Sequence, residues 1–358
     1  MRQEQEQHVS PHGTKGKPQR WQLLTRATSR VLVSWAVFRQ NASQVTTRRP
    51  GHRLLDRPRN VQPEAERDLE FAWLAEVAYG KTPAGKEARA RKAATRAERA
   101  THSGTATSPA EPPCPDSEAA LGELGWSPWP GFPSAALLEQ FDRYHLRVEV
   151  WVRHKRPGVP PAVAVAFGGT VFKNENDWRS NLRWFMPKRR DEYSETVQAF
   201  APQFALEFKK QVQSGEAQWE ILKGACIYSV GHSLGGGLAQ QFAYALPPDP
   251  EVPRVAQVFA FDPSPVTGFY SVKPELRDRN KQALAIDRIY ERGEILAILR
   301  ALTSLFVPPS REAPKIRGVR YALFFPADPI KGHSMTELAC RMWRAAVAPA
   351  KARPRAQR

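Results

Sequence analysis

The stretch IYSVGHSLGGGLAQQFAYAL, residues 227–246, restricts the fold more than any other part of the chain. A short apolar run ends at Gly231, Ser233 stands between two glycines, and a small-residue helical pattern begins at once. G-x-S-x-G by itself recurs by chance in about one chain in ten of this size. The strand before it and the helix after it are what a strained strand-to-helix turn carrying an exposed serine requires. Gly231 and Gly235 are expected there because a Cβ would collide with the neighbouring strand or helix, and Gly236 and Gly237 would let the helix lie close to a sheet. A glycine-rich phosphate loop would instead need G-x-x-x-x-G-K-[ST], and this stretch has no lysine.

A serine hydroxyl is a poor nucleophile until a base removes its proton, so a histidine held by a carboxylate must follow. In a strand–turn–helix arrangement of this kind the chain order is serine, acid, histidine. Of the eight histidines only His333 lies beyond Ser233, between a final strand pattern and a final helix pattern. His232 reads as a packed residue of the turn. Two acids qualify by position: Asp262 directly follows VAQVFAF, and Glu294 follows AIDRIY by a short loop. Either would emerge at the carboxyl edge of a parallel sheet, and spacing does not choose between them.

The turn sits in a regular alternation. Strands are expected at about 146–152, 161–167, 225–230, 255–261, 285–290 and 320–325, and helices at about 193–212, after Ser233, at 295–305 and at 335–346. Strands separated by helices imply an α/β fold with a mostly parallel central sheet covered on both faces. There is no internal repeat. Residues 1–65 mix Gln, Arg, Pro and His with little periodicity and read as a disordered or weakly structured basic region, apart from a short amphipathic piece at about 21–38. Residues 66–350 form the main domain, opening on the helical pattern DLEFAWLAEVAYG. It is interrupted at about 81–116 by a flexible Ala/Arg/Pro-rich insertion, and 351–358 is a basic tail.

Several segments resemble the class 3 lipases of the α/β-hydrolase fold, the family of fungal triacylglycerol lipases. VAVAFGGTVFKNENDWRSNL at 163–182 is similar to the family's strand followed by F-R-G-T/S, GHSLGGGLAQ at 231–240 to its elbow, and DRIYERGEILAIL at 287–299 to the segment carrying its triad acid. The likeness spans roughly 68–346. It implies Ser233 as nucleophile, His333 as base and Glu294 as acid, with Asp262, placed as in pancreatic-type lipases, as the alternative. It also implies an oxyanion hole from Thr170 and the amide of Leu234. Gly168 replaces the family's arginine, which predicts a loosened loop. NLRWFMPKRRDEY at 181–193 pairs aromatics with basic residues as a lipid-touching lid would.

The expected function is therefore hydrolysis of lipid carboxylic esters, acylglycerols or phospholipids, through an acyl-enzyme. The alternative is a catalytically silent hydrolase-fold adaptor that binds anionic membranes or a protein. No metal or organic cofactor is implied. The formal charge of +17 favours peripheral contact with an anionic lipid surface. Nucleic acid is disfavoured, because the arginines of 89–99 lack interleaved aromatics. The three cysteines show no CxxC pairing and read as ordinary thiols. No apolar run is long enough to span a bilayer, the best N-terminal one being VLVSWAVF at 31–38. A cytoplasmic or peripheral-membrane location is favoured, with export open.

Overall fold

The computed structural model describes residues 44–52, 54–79, 113–143, 147–154, 157–169, 190–265, 267–293, 312–323 and 333–347. The chain divides into units 1–42 and 43–358, and all described residues belong to the second. Nine strands form one sheet: β1 (Gln44–Arg48), β2 (Arg59–Asn60), β3 (Trp126–Pro128), β4 (Arg147–Arg153), β5 (Ala162–Gly168), β6 (Cys226–His232), β7 (Val255–Phe261), β8 (Ala285–Glu291) and β9 (Lys315–Ala322). Their order across the sheet is β2-β1-β9-β8-β7-β6-β5-β4-β3. The α-helices among the described residues are α1 (Gln62–Val77), α2 (Ser117–Glu123), α3 (Ala135–Arg143), α4 (Arg190–Ser214), α5 (Leu234–Ala245), α6 (Pro274–Asn280) and α7 (Met335–Val347).

The architecture is α/β, but the sheet is mixed rather than mostly parallel. Strands β5 to β9 run parallel, while β3, β4, β1 and β2 pair antiparallel at the two edges. The parallel centre is buried on both faces, which is why β5 reads AVAVAFG without a polar residue. Its period of two deals alternate side chains to two cores. Val163, Val165 and Phe167 join one core together with Ile227 and Val258. Ala162 and Ala164 join the other with Val230, Phe259 and Phe261.

Helices α4 and α5 cover the first face. Phe200, Phe204 and Phe208 recur every four residues on α4 and so share one stripe, which meets Trp129, Phe132, Phe167 and Phe242. Fully burying each phenylalanine contributes about 1.5–3 kcal/mol. Helices α1 and α7 cover the second face, where Phe71 stacks on Phe259 with ring centroids 3.6 Å apart. A buried ionic cluster lies where α1 crosses β8 and β9. Asp287 accepts from Arg317 at 3.0 Å and Gln257 at 2.8 Å and pairs with Arg67, while Asp68 accepts from Tyr321 at 2.9 Å. Burial pushes the Asp287 carboxyl up to about 7 and that of Asp68 up to about 6.

Three expectations need correcting. The region 1–65 is not weakly structured throughout, because β1 pairs along β9 and α1 begins at Gln62. Only Val45 and Thr47 of β1 face inward, an alternation too short to register as a strand in sequence. Strand β9 starts at Lys315, five residues before its expected start at 320, because its first half carries Lys315, Arg317 and Gly318 instead of an apolar run. Cys114 and Cys340 are not ordinary thiols: they form a disulfide with Cα atoms 5.5 Å apart, leaving Cys226 free. Residues 81–112 of the insertion, the expected helix at 295–305 and 170–189 of the expected lid lie outside the described residues. Among the described residues no helix is long and apolar enough to cross a membrane.

Candidate active site

Strand β6 delivers Ser233 at the carboxyl edge of the sheet, and α5 departs from the next residue. Ser233 has φ 57° and ψ −123°, a conformation a non-glycine residue rarely adopts and which costs on the order of 1–3 kcal/mol. The surroundings hold it there. Its N–H donates to Phe261 O at 2.9 Å, and its carbonyl accepts from Ser264 N at 2.9 Å and Gly236 N at 3.1 Å. A Cβ on Gly235 would land on the carbonyl of Phe167 in β5, and one on Gly231 would land on the carbonyl of Gly235. The expected collisions with strand and helix are both present.

His333 lies between β9 and α7, as its sequence position implied. Its Nε2 is 3.0 Å from Ser233 Oγ, across 100 residues of chain. Asp262 is the first residue after β7 and is fully buried. It too has a positive φ, 37°, in the left-handed region where aspartate is over-represented. Its N–H donates to Ile289 O at 2.7 Å, and its Oδ1 accepts from Glu291 N at 3.0 Å, so the neighbouring strand β8 fixes the carboxylate. His232, Asp262 and His333 each place one donor atom within 4.8 Å of the other two. Glu294 lies outside the described residues.

Leu234 is the first residue of α5, so its N–H belongs to the group of helix-initial amides that have no acceptor within the helix. It points from the positive end of the helix dipole beside the serine. Thr170 lies outside the described residues, but Gly169 before it adjoins Ser233: a Cβ built on Gly169 would be 3.4 Å from that of Ser233. Gly168 itself is closely packed, while the loop expected to be loosened continues into residues 170–189, outside the described residues. A Cβ on Gly168 would be 2.6 Å from Ala78 O and 3.1 Å from Arg147 Cβ, so the end of α1 leaves no room for any side chain.

One site residue, Tyr79, escaped the sequence reading, and a second, His232, was read as a packed residue of the turn, which its burial bears out. Tyr79, just past α1, places its hydroxyl 2.8 Å from His232 Nδ1 and donates to His232 O at 3.2 Å. The same oxygen receives a backbone hydrogen bond from Gly169, and burial raises its pKa well above the ordinary phenol value, which keeps it a neutral donor. His232 itself does not simply pack away from the serine; its ring lies 4.8 Å, centroid to centroid, from that of His333. The only sequence signal for Tyr79 was its place at the end of a convincing helix, where the chain must leave for the insertion.

No family model, no curated protein and no solved structure matches the chain. The chemistry of the site is therefore argued from its geometry. A hydroxyl in contact with an imidazole, beside helix-initial amides, can transfer a proton to the ring as it attacks an electrophile.

Proposed function

We propose that the chain is a serine hydrolase of α/β-hydrolase type that cleaves carboxylic esters of lipids. The observation that carries this reading is the 3.0 Å contact between Ser233 Oγ and His333 Nε2 at a strained strand-to-helix turn. Ser233 attacks the ester carbonyl while His333 takes its proton and passes it to the leaving alcohol. Water then cleaves the acyl-enzyme with His333 again as base. Asp262 orients the ring and stabilises its cationic form. Its burial and its anchor on Glu291 N favour it over Glu294, the acid that the family likeness suggests. The Leu234 amide and Thr170 stabilise the oxyanion, a contribution of about 2.7–4 kcal/mol per donor.

The lipid character of the substrate rests on the class 3 lipase likeness of 163–182 and 231–240 and on the charge of +17, which draws the protein to anionic surfaces. The Cys114–Cys340 disulfide favours an oxidising compartment over the cytoplasm. The test is fluorophosphonate labelling of the purified protein together with a p-nitrophenyl ester panel of increasing chain length. Labelling at Ser233 that Ser233→Ala abolishes, with turnover of the longer esters, supports the proposal. An unlabelled folded protein that binds anionic vesicles would instead establish the silent adaptor.

A further inference from the structure

Between β1 and β2 the chain makes a loop whose composition the packing of the sheet does not require. Residues 48–59 read RRPGHRLLDRPR, five arginines and two leucines against a single acid. Two local devices hold it. Arg49 to His52 close a tight turn, with Pro50 second, Gly51 third at φ 76°, and the N–H of His52 donating to Arg49 O at 3.1 Å. At the neck the N–H of Asp56 donates to Thr47 O at 2.7 Å, and its carboxylate accepts from Thr47 Oγ1 at 2.9 Å. Arg59 joins the same neck by donating to Thr47 Oγ1 at 2.8 Å. The one acid of the loop is thus committed to its closure.

What the closed loop presents to solvent is apolar and cationic. Leu54 is 76% exposed and Leu55 41%, and Arg49, His52 and Arg57 around them in sequence are exposed too. Adjacent leucines on an anchored backbone suit an apolar medium, and flanking arginines, whose stems are themselves apolar, select one bordered by negative charge. Nucleic acid would pair its phosphates with the arginines and leave the leucines in water. The position of the loop matters as well. Because β1 runs antiparallel to β9, with Arg48 beside Gly318, the chain leaves β1 toward the amino end of β9. Ser233 follows the carboxyl end of β6, which runs in the same direction as β9. Loop and serine therefore stand at opposite ends of the strands, about 23 Å apart along a seven-residue strand.

We propose that the loop 48–59 docks the protein on an anionic phospholipid bilayer, Leu54 and Leu55 entering the interface between headgroups and acyl chains while Arg49 and Arg57 pair with the anionic headgroups. The contact rests on the anionic-surface reading of the +17 charge and is independent of the hydrolase reading. A bilayer held in this way lies at the far end of the strands from Ser233. The catalytic edge then faces water, and esters reach it from the aqueous side.

The experiment uses the full chain and flotation with vesicles of phosphatidylcholine alone or with phosphatidylserine. Binding is expected with phosphatidylserine only and falls as salt is raised. The double variant Leu54→Ser/Leu55→Ser is expected to weaken it about 10–100-fold, and Arg57→Glu about 10–30-fold. Leu206→Ser removes an equally exposed leucine on α4 and is expected to leave binding unchanged. A thermal melt of each variant reports folding. Fluorophosphonate labelling of Ser233 is expected to proceed undiminished on saturating vesicles. Absence of vesicle binding, or a loss confined to one of the two folded loop variants, overturns the docking surface. Binding to duplex DNA that Arg57→Glu removes and the leucine variant keeps assigns the loop to nucleic acid and overturns it equally. So does a dimer in sedimentation velocity that the leucine variant dissolves, which would give the loop to a second copy of the chain. Labelling blocked by vesicles overturns the far-end placement. A protein that never labels but binds vesicles through these residues keeps the docking surface and removes the hydrolase.

Discussion

Tyr79 and His232 are 153 residues apart in sequence, and their side chains meet at 2.8 Å directly behind the nucleophile. The Tyr79 hydroxyl bonds at once to the turn that raises Ser233 and to Gly169 at the head of the proposed oxyanion loop. Tyr79→Phe keeps the ring and removes the hydroxyl's hydrogen bonds to His232 and Gly169. The expected loss of stability is about 1–3 kcal/mol, read by chemical denaturation. On ester substrates kcat is expected to fall about 10–100-fold with KM little changed, since a positioning defect acts on the transition state.

Asp262 and Glu294 make opposite predictions. If Asp262 orients His333, Asp262→Asn lowers kcat by several orders of magnitude, on the order of 10⁴-fold where the wrong tautomer is imposed, and Glu294→Gln leaves at least a third of the activity. Full activity in the asparagine variant would transfer the role to Glu294.

Gly168 supplies a test of packing. Gly168→Arg restores the arginine of the lipase-like motif but must place its Cβ on Ala78 O. The expectation is failure to fold, or destabilisation of at least about 3 kcal/mol in a thermal melt. An arginine variant of native stability would show that α1 yields at this point.

The ionic cluster on α1, β8 and β9 gives a pH signature. The folded-state pKa of Asp287, pushed up by burial to about 7, lies above its unfolded value near 3.8. The folded state therefore binds the proton more tightly. The contribution to stability is fully present below about pH 4 and is lost as pH rises from there through 7. Asp287→Asn is expected to flatten the stability–pH curve in that window, as measured by urea denaturation at a series of pH values.

The Cys114–Cys340 bridge closes a loop across 226 residues of sequence. Thiol titration of the denatured, unreduced protein is expected to find the single thiol of Cys226. Cys114→Ser is expected to cost about 2–4 kcal/mol against denaturant. Three titratable thiols in the native isolate would contradict the bridge.

What the sequence made legible follows from what is encoded locally. The turn at Ser233 announces itself because strand, glycines and helix are contiguous, and His333 follows because no other histidine lies downstream. Asp262 was visible as the residue ending an apolar strand. The contact of His232 with His333, the role of Tyr79 and the disulfide were not visible, because each joins segments at least 100 residues apart and none leaves a periodic trace. The edge strand β1 was missed for the opposite reason: two inward side chains are too few to make a pattern.

The antiparallel pairing of β1 with β9 has a bearing on biosynthesis. Gln44 meets Ala322 and Arg48 meets Gly318, so that border of the sheet stays open until β9 has been made. His333 is made later still, followed by the helix that packs on α1. During translation the nascent polypeptide thus carries the serine on a partly assembled sheet before His333 has been made to activate it, and whatever reactivity the pair possesses begins only after that.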